Sequence, residues 1–308
     1  MPATKIVVVG SLNLDLVTGV DNWPAPGETR LGKSFAMIPG GKGANQAVAA
    51  ARLGADVAMV GRVGDDAFAD TLLLNLANAG VSTDRILKTP GASTGLAAIT
   101  VCQGENSIIV VPGANHLLTV EDVEEAESVI ARADILLLQN EIPLETALAA
   151  RDLAVAHAVR VIFDPAPAPA SKIPDRFWNV DLLTPNCSEA SVLAEIDIQN
   201  RDDADRAAEV LHAKGASLVI MKLGDQGALW CEGGRPPIHV PAFTVKVVDS
   251  TAAGDAFTAA LAVAWSEGRS PQEILRFACA AGGLAVTRAG AQPSLPTRAE
   301  VEQLLAAH

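Results

Sequence analysis

The 308-residue chain contains no tyrosine, and aromatic residues make up only 4% of it. Its core must therefore be aliphatic, and a hydrophobic content of 49% supplies one while excluding a disordered chain. Cysteine is scarce: Cys102, Cys187, Cys231 and Cys279 are widely separated and form no CxxC pair. Neither a zinc site nor a disulfide framework is indicated, and buried free thiols are the default. Positive charge is also short, with 23 Lys and Arg against 36 Asp and Glu, a formal net charge of −13, and no Lys/Arg run. That deficit argues against nucleic acid or an anionic membrane as the main partner. An anionic ligand would need a local source of positive potential: backbone dipoles, a few cations or a metal ion. Long apolar runs are missing too. The opening "MPATKIVVVG" is too brief for a signal segment or a spanning helix and reads as the first strand of a cytosolic protein.

What is present is alternation. "KIVVVG" (5–10), "VAMVGRVG" (57–64), "DILLLQ" (134–139), "RVIFDP" (160–165), "DLLTPN" (181–186) and "SLVIMKLG" (217–224) read as strands. Helical patterns at 43–54, 66–80, 119–133, 143–157 and 202–215 lie between them, several ending at Gly. Such alternation predicts an α/β fold with three αβα layers: a doubly wound, mostly parallel sheet covered on both faces. From residue 252 onward the pattern is almost wholly helical, and no long linker interrupts residues 1–308, so one domain is expected. The stretch "DPAPAPASKIP" (164–174) reads as a loop. Residues 11–39 and 94–111 break the alternation, the second as a hairpin turning at Gly104. They predict a small protruding β-sheet with one face to be covered by ligand or by another subunit.

Two motifs mislead. "GETRLGKS" (27–34) satisfies the P-loop pattern but lacks a strand before it and a helix after it, which leaves Lys33 and Ser34 as ordinary residues of the small sheet. "GSLNLD" (10–15) supplies one glycine and no helix, against a dinucleotide fold.

Three polar groups remain at predicted strand ends, where open α/β sheets place ligands. Asn13 and Asp15, two residues apart on an extended segment, face one side and can share the hydroxyls of a polyol; "PGGKGANQA" (39–47) adds Gly40, Gly41, Gly43, Lys42 and Asn45. As single residues these read equally well as turn or hinge positions. Glu141 and "TPNCSE" (184–189) form the second group, in which Asn186 and Glu189 can serve metal-bound water or can simply be an N-cap pair. The third joins "KLGDQG" (222–227), "AVTRAGAQPS" (285–294) and "STAAGDAFTAAL" (250–261). In the last of these, Asp255 follows a side-chain-poor turn; it either caps a helix or stands as a carboxylate beside amides free to face an anion.

Taken together, "GSLNLD", "PGETRLG", "GGKGANQAVAAARLGA", "KLGDQGA", "DSTAAGDAFTAAL" and "AVTRAGAQPS" resemble the phosphofructokinase-B-like carbohydrate kinases of the ribokinase type, in order from about residue 5 to about residue 305. The resemblance implies a β-sheet lid, matched by residues 11–39 and 94–111, which often pairs with another subunit's lid in a homodimer. It implies ATP as co-substrate and phosphoryl transfer to the primary (5-) hydroxyl of D-ribose. Asp255 would be general base, with an anion hole at Ala252, Ala253, Gly254 and Asp255, consistent with a reaction that depends on positioning and charge neutralisation. Asn13, Asp15, Gly41, Lys42, Asn45 and Glu141 fall to sugar hydroxyls. Asn186 and Glu189 fall at the Mg²⁺–triphosphate end, Glu189 through water, and Lys222, Gly224, Gly227, Gly254 and Cys279 along the nucleotide. A monovalent cation, usually K⁺, matches Asp249, Thr251, Ala285, Arg288, Gly290 and Ser294. Three positions depart from the family pattern: Cys187 and Ser188 stand where "TPNETE" has an acid and a Thr, and Lys222 where Thr is frequent, which makes its nucleotide contact an ionic one. A kinase of another sugar or of a nucleoside, its choice set by apolar lid residues such as Leu14, Ala97 and Ile109, stays open. So does a non-catalytic sugar sensor.

Overall fold

The computed structural model describes residues 3–169 and 173–308. The chain runs through β1 (Lys5–Val9), β2 (Asn13–Val20), β3 (Ser34–Gly40), β4 (Asp56–Gly64), β5 (Val81–Thr89), β6 (Gly95–Cys102), β7 (Glu105–Val111), β8 (Ile135–Gln139), β9 (Arg160–Asp164), β10 (Leu182–Leu183), β11 (Leu218–Lys222), β12 (Ala228–Glu232) and β13 (Ile238–Val240). Nine of these form the main sheet, in the order β13-β12-β11-β10-β9-β8-β1-β4-β5. The pairings from β11 through to β5 are parallel, whereas β12 and β13 are added antiparallel at one edge.

Strands buried on both faces read as continuous apolar runs, which is why "IVVV" and "ILLL" stand at the centre of the sheet. Alternate residues of these strands enter two separate cores. Ile6 and Val8 pack with the helices Lys42–Arg52, Ala253–Ser266 and Pro271–Ala285 on one face, while Val7 and Val9 pack with the helices Leu144–Ala156 and Arg201–Lys214 on the other. The expected three layers are present. Small residues dominate the first core, where Ala256, Ala259 and Ala260 let two helices approach closely. The absence of tyrosine is met by packing alanine tightly rather than by leaving space.

Sequence periodicity missed three strands. β5 is an edge strand with only two of its nine residues buried, and β12 and β13 follow β11 through a tight turn. The run at 119–133 forms two short helices, Val120–Glu125 and Glu127–Ile130, and the expected strand at 181–186 contracts to two residues. Residues 170–172 of the Pro/Ala stretch lie outside the described residues.

The second sheet, in order β3-β2-β6-β7, is built from the two segments that broke the alternation. β2 and β6 are parallel, and β6 turns into β7 through Gln103 and Gly104, both at positive φ (53° and 87°), as a two-residue hairpin requires. Residues 27–33 form no helix, so the P-loop match is a coincidence of letters. Phe35, Met37, Ile108 and Ile109 are exposed on this sheet, against the near-total burial of apolar residues in the main one.

Candidate functional site

Asp255 is the third residue of the helix Ala253–Ser266 and is buried. Its carboxylate does not cap that helix. Oδ2 accepts from Asn45 Nδ2 at 2.8 Å and Oδ1 from Gln46 Nε2 at 3.2 Å, both from the helix that follows β3. Burial pushes its pKa up to about 6; the Lys42 ammonium opposes that rise and Asp164 adds to it.

The turn before it is unusual in having Ala252 in the left-handed region (φ 60°), a conformation costing a non-glycine residue roughly 1 kcal/mol. The turn leaves amides open at the start of the helix. Those of Ala252, Gly254 and Asp255 have no acceptor among the described residues, whereas Ala253 N donates to Ser250 O at 3.3 Å. Four free amides were expected; three are present, because the turn closes on itself at Ala253.

Asn13 and Asp15 lie on β2 opposite Gly40 and Ile38 of β3, and both are buried. Asn13 Oδ1 accepts from Asn115 Nδ2 at 2.8 Å, and the same Asn115 accepts Leu12 N at 2.9 Å, which fixes the start of the strand. Asp15 has a pKa raised to about 7, chiefly by burial, then by the nearby charges of Glu141 and Asp255. Leu14 points to the opposite side and is fully buried in the main core, so it has no part in shaping a ligand. Ala97 is buried and Ile109 is exposed at the rim.

Gly41 (φ 87°) precedes the helix Lys42–Arg52, and a Cβ there would lie 2.6 Å from Asn13 N. This close approach brings Lys42 and Asn45 toward Asp255. For Lys42, burial would depress the pKa, but Asp255, Glu141, Asp164 and Glu189 together outweigh it and the ammonium is held well above its ordinary value. Glu141 Oε2 takes Ser11 Oγ at 2.5 Å and Lys42 N at 3.1 Å. All six residues assigned to a sugar, with Asp255, thus converge from β2, the first helix and the loop after β8.

On the other side of Asp255 opens a cleft of about 530 Å³ lined by Lys222, Gly224, Gly227, Gly254 and Cys279, with Phe243, Val245, Phe257 and Val286 as apolar wall. Cys279 is a buried thiol whose pKa burial pushes up to about 12, an inert group. Gly224 and Gly227 flank a tight turn between antiparallel strands and also line this cleft; a Cβ on Gly227 would meet Val240 O at 2.0 Å. Asn186 does not line this cleft. It caps the helix Cys187–Ala194 in a capping box with Glu189, whose Oε2 accepts Asn186 N at 2.8 Å and whose Oε1 accepts Asn186 Nδ2 at 2.9 Å. Burial raises the pKa of Glu189, with Lys222 opposing.

Asp249 ties two loops together: Oδ1 accepts Thr251 N (2.9 Å) and Thr251 Oγ1 (2.6 Å), and Oδ2 accepts Gly290 N (2.8 Å). Ala285 O accepts Arg288 N at 3.4 Å, Arg288 turns its guanidinium to Glu300, and Ser294 Oγ bonds Ala291 O. Among the described residues no group of three His, Cys, Asp or Glu side chains could hold a metal ion. Glu189 and the loop around Asp249 offer oxygen donors, the type that would suit a hard cation.

Sequence reasoning missed the layer beneath. Asp164, Gln46, Gln139, Thr258, Ser11 and Asn115 are all buried, and they orient the residues it found. Asp164 and Gln139 end their strands, which was the available signal.

The model of the "pfkB family carbohydrate kinase" matches residues 3–298. The chain belongs to this family. Among relatives, the pfkB-family chain is 44% identical to a ribokinase of Bacillus subtilis (strain 168), over 98% of its own length and 99% of that protein. It is 36% identical to a deoxyribokinase of Salmonella typhimurium (strain LT2), over 97% and 98% respectively. Its fold superposes on the structure of Arabidopsis thaliana ribokinase complexed with ribose and ATP with a TM-score of 0.91, at 36% identity, covering 98% of this chain and 99% of that one. Among the described residues no helix is long and apolar enough to cross a membrane.

Proposed function

We propose that this chain is an ATP-dependent ribose kinase, transferring the γ-phosphoryl group to the 5-hydroxyl of D-ribose. The observation that carries the reading is the placement of one buried carboxylate, Asp255, between a hydroxyl-binding pocket and three unpartnered amides. Full-length likeness to ribokinases supports the choice of sugar.

Asn13, Asp15, Lys42, Asn45 and Glu141 hold the sugar's hydroxyls, leaving the primary one against Asp255. Asp255 takes that hydroxyl's proton as the oxygen bonds to the γ-phosphorus and the bond to the leaving ADP oxygen breaks. The amides of Ala252, Gly254 and Asp255 face the negative charge of the transferring group, where fixed dipoles act without reorganising. Glu189, to which Asn186 is held in the capping box, would hold Mg²⁺ through water, and the ion would supply charge neutralisation for the triphosphate. Asp249, Thr251, Ala285, Arg288, Gly290 and Ser294 would hold a monovalent cation that orders the anion-hole turn.

Two copies pair through the small sheet, residues 11–39 and 94–111 acting as a lid, because Phe35, Met37 and Ile109 leave an uncovered apolar face there. The working compartment is the cytoplasm, where ATP and free thiols coexist. Coupled ADP release with a panel of pentoses, hexoses and nucleosides, in Mg²⁺ and K⁺, tests the activity. Ribose should give the highest kcat/KM; preference for 2-deoxyribose or a nucleoside would replace the substrate, and no turnover at all would refute the kinase. Sedimentation of the wild type tests the dimer.

A further inference from the structure

Asp164 closes β9 and is 1% exposed. Its Oδ1 pairs with Lys222 Nζ at 2.8 Å, and its Oδ2 accepts from Gln46 Nε2 at 2.9 Å and Thr258 Oγ1 at 3.2 Å. The same Gln46 nitrogen stands 3.2 Å from Asp255 Oδ1, while Gln139 Nε2 grips Gln46 Oε1 at 2.7 Å and so prevents the amide from flipping. One nitrogen therefore bridges two buried carboxylates. At the far side of the pair, Lys222 lines the nucleotide cleft, and its Nζ would be 3.7 Å from a Cβ placed on Gly254. The ammonium thus lies between a buried acid and the unpartnered amides of the turn.

We propose that Asp164 is a positioning residue: it stations Lys222, already assigned to the nucleotide, at the anion hole, and through Gln46 it couples the arrival of nucleotide phosphate to the basicity of Asp255. The inference rests on the kinase reading above. An ammonium has three donors and can share them between Asp164 and a phosphate oxygen. As phosphate draws Lys222 toward itself, the charge on Asp164 is less neutralised, and Asp255 one amide away holds a proton more tightly. The base strengthens when the phosphoryl donor is in place. The other charges acting on Asp255 are Lys42 from the first helix and Asp15 from β2, while Glu141 after β8 and Glu189 from the helix Cys187–Ala194 act on Lys42. Of the ammonium groups in this set, Lys222 is the one that also lines the cleft.

The test is a double-mutant cycle of Asp164→Asn and Lys222→Met, read by calorimetric binding of ADP and by the pH profile of kcat. Lys222→Met should weaken nucleotide binding about tenfold or more, the scale of a lost charge-assisted hydrogen bond, and should move the acid limb of kcat to higher pH, because Asp164 is left unneutralised. Asp164→Asn should move that limb to lower pH. The double variant should bind nucleotide no more weakly than Lys222→Met alone. Lys222→Arg, which keeps the charge, should restore most of the affinity and guards against a folding defect. Unchanged affinity in Lys222→Met, or limbs that stay put or move the same way in both single variants, overturns the proposal. If the wild type fails to turn over any sugar, the kinase reading falls, and the calorimetric arm still decides the Lys222–phosphate contact.

Discussion

The two sides of Asp255 are built by opposite means. On the side proposed for the sugar, Asp15, Lys42, Asn45 and Glu141 crowd charged and amide groups together, each held by a second partner or by the field of its neighbours. On the side proposed for the nucleotide, glycine, alanine, valine and phenylalanine line a wide cleft, and Lys222 supplies its ammonium charge. The difference follows from what each ligand offers. A small polyol presents only hydroxyls, so discrimination requires donors and acceptors that cost free energy when left unpaired. A purine ring offers area and a triphosphate offers charge, which an apolar wall, backbone amides and one or two cations can meet.

Substitutions should therefore fall unequally across this divide. Asp255→Asn sits on the boundary and should lower kcat by about 10³-fold, within the range for removing a general base, while calorimetry still detects ribose binding; an unchanged rate would remove the base assignment. Asp15→Ala should raise the KM for ribose by about 10²-fold and leave the nucleotide KM nearly unaltered, as expected for a lost charged partner to hydroxyls. Equal effects on both substrates would erase the proposed division.

The pH dependence sharpens the same contrast. With Asp15 at about 7 and Asp255 at about 6, both raised from 3.8 by burial, the folded protein binds protons that the unfolded chain has released. The stabilisation from these groups is complete below about pH 4 and is lost as pH rises through 6 and 7. Thermal melts should show stability falling between pH 5 and 8, less steeply in Asp15→Asn. Ribose should bind more tightly over that interval as Asp15 ionises, and kcat should fall below about pH 6. Smallest of all, Cys279→Ala in the apolar wall should change the nucleotide KM by less than about threefold, because one small buried side chain contributes little contact area.

The motif-bearing residues were legible because their residue types are informative in place: glycines where backbones touch, and an acid after a bare turn. Leu14 was misjudged because a strand's alternation was applied to Asn13 and Asp15 and not to the residue between them. Asp164, Gln46 and Gln139 carry no motif, and nothing local marks them as partners. Their meeting depends on β9 lying beside β8, and on the first helix crossing both strand ends.

Alternation of apolar runs determined the three-layer sheet, and the broken segments determined a second, smaller sheet, since burial on one or two faces is written in periodicity. Only the tertiary structure decided which polar side chains are desolvated together. Charge, proton affinity and hydrogen-bond pairing depend on distances across elements 100 and more residues apart, and a Coulomb or desolvation energy has no local sequence signature.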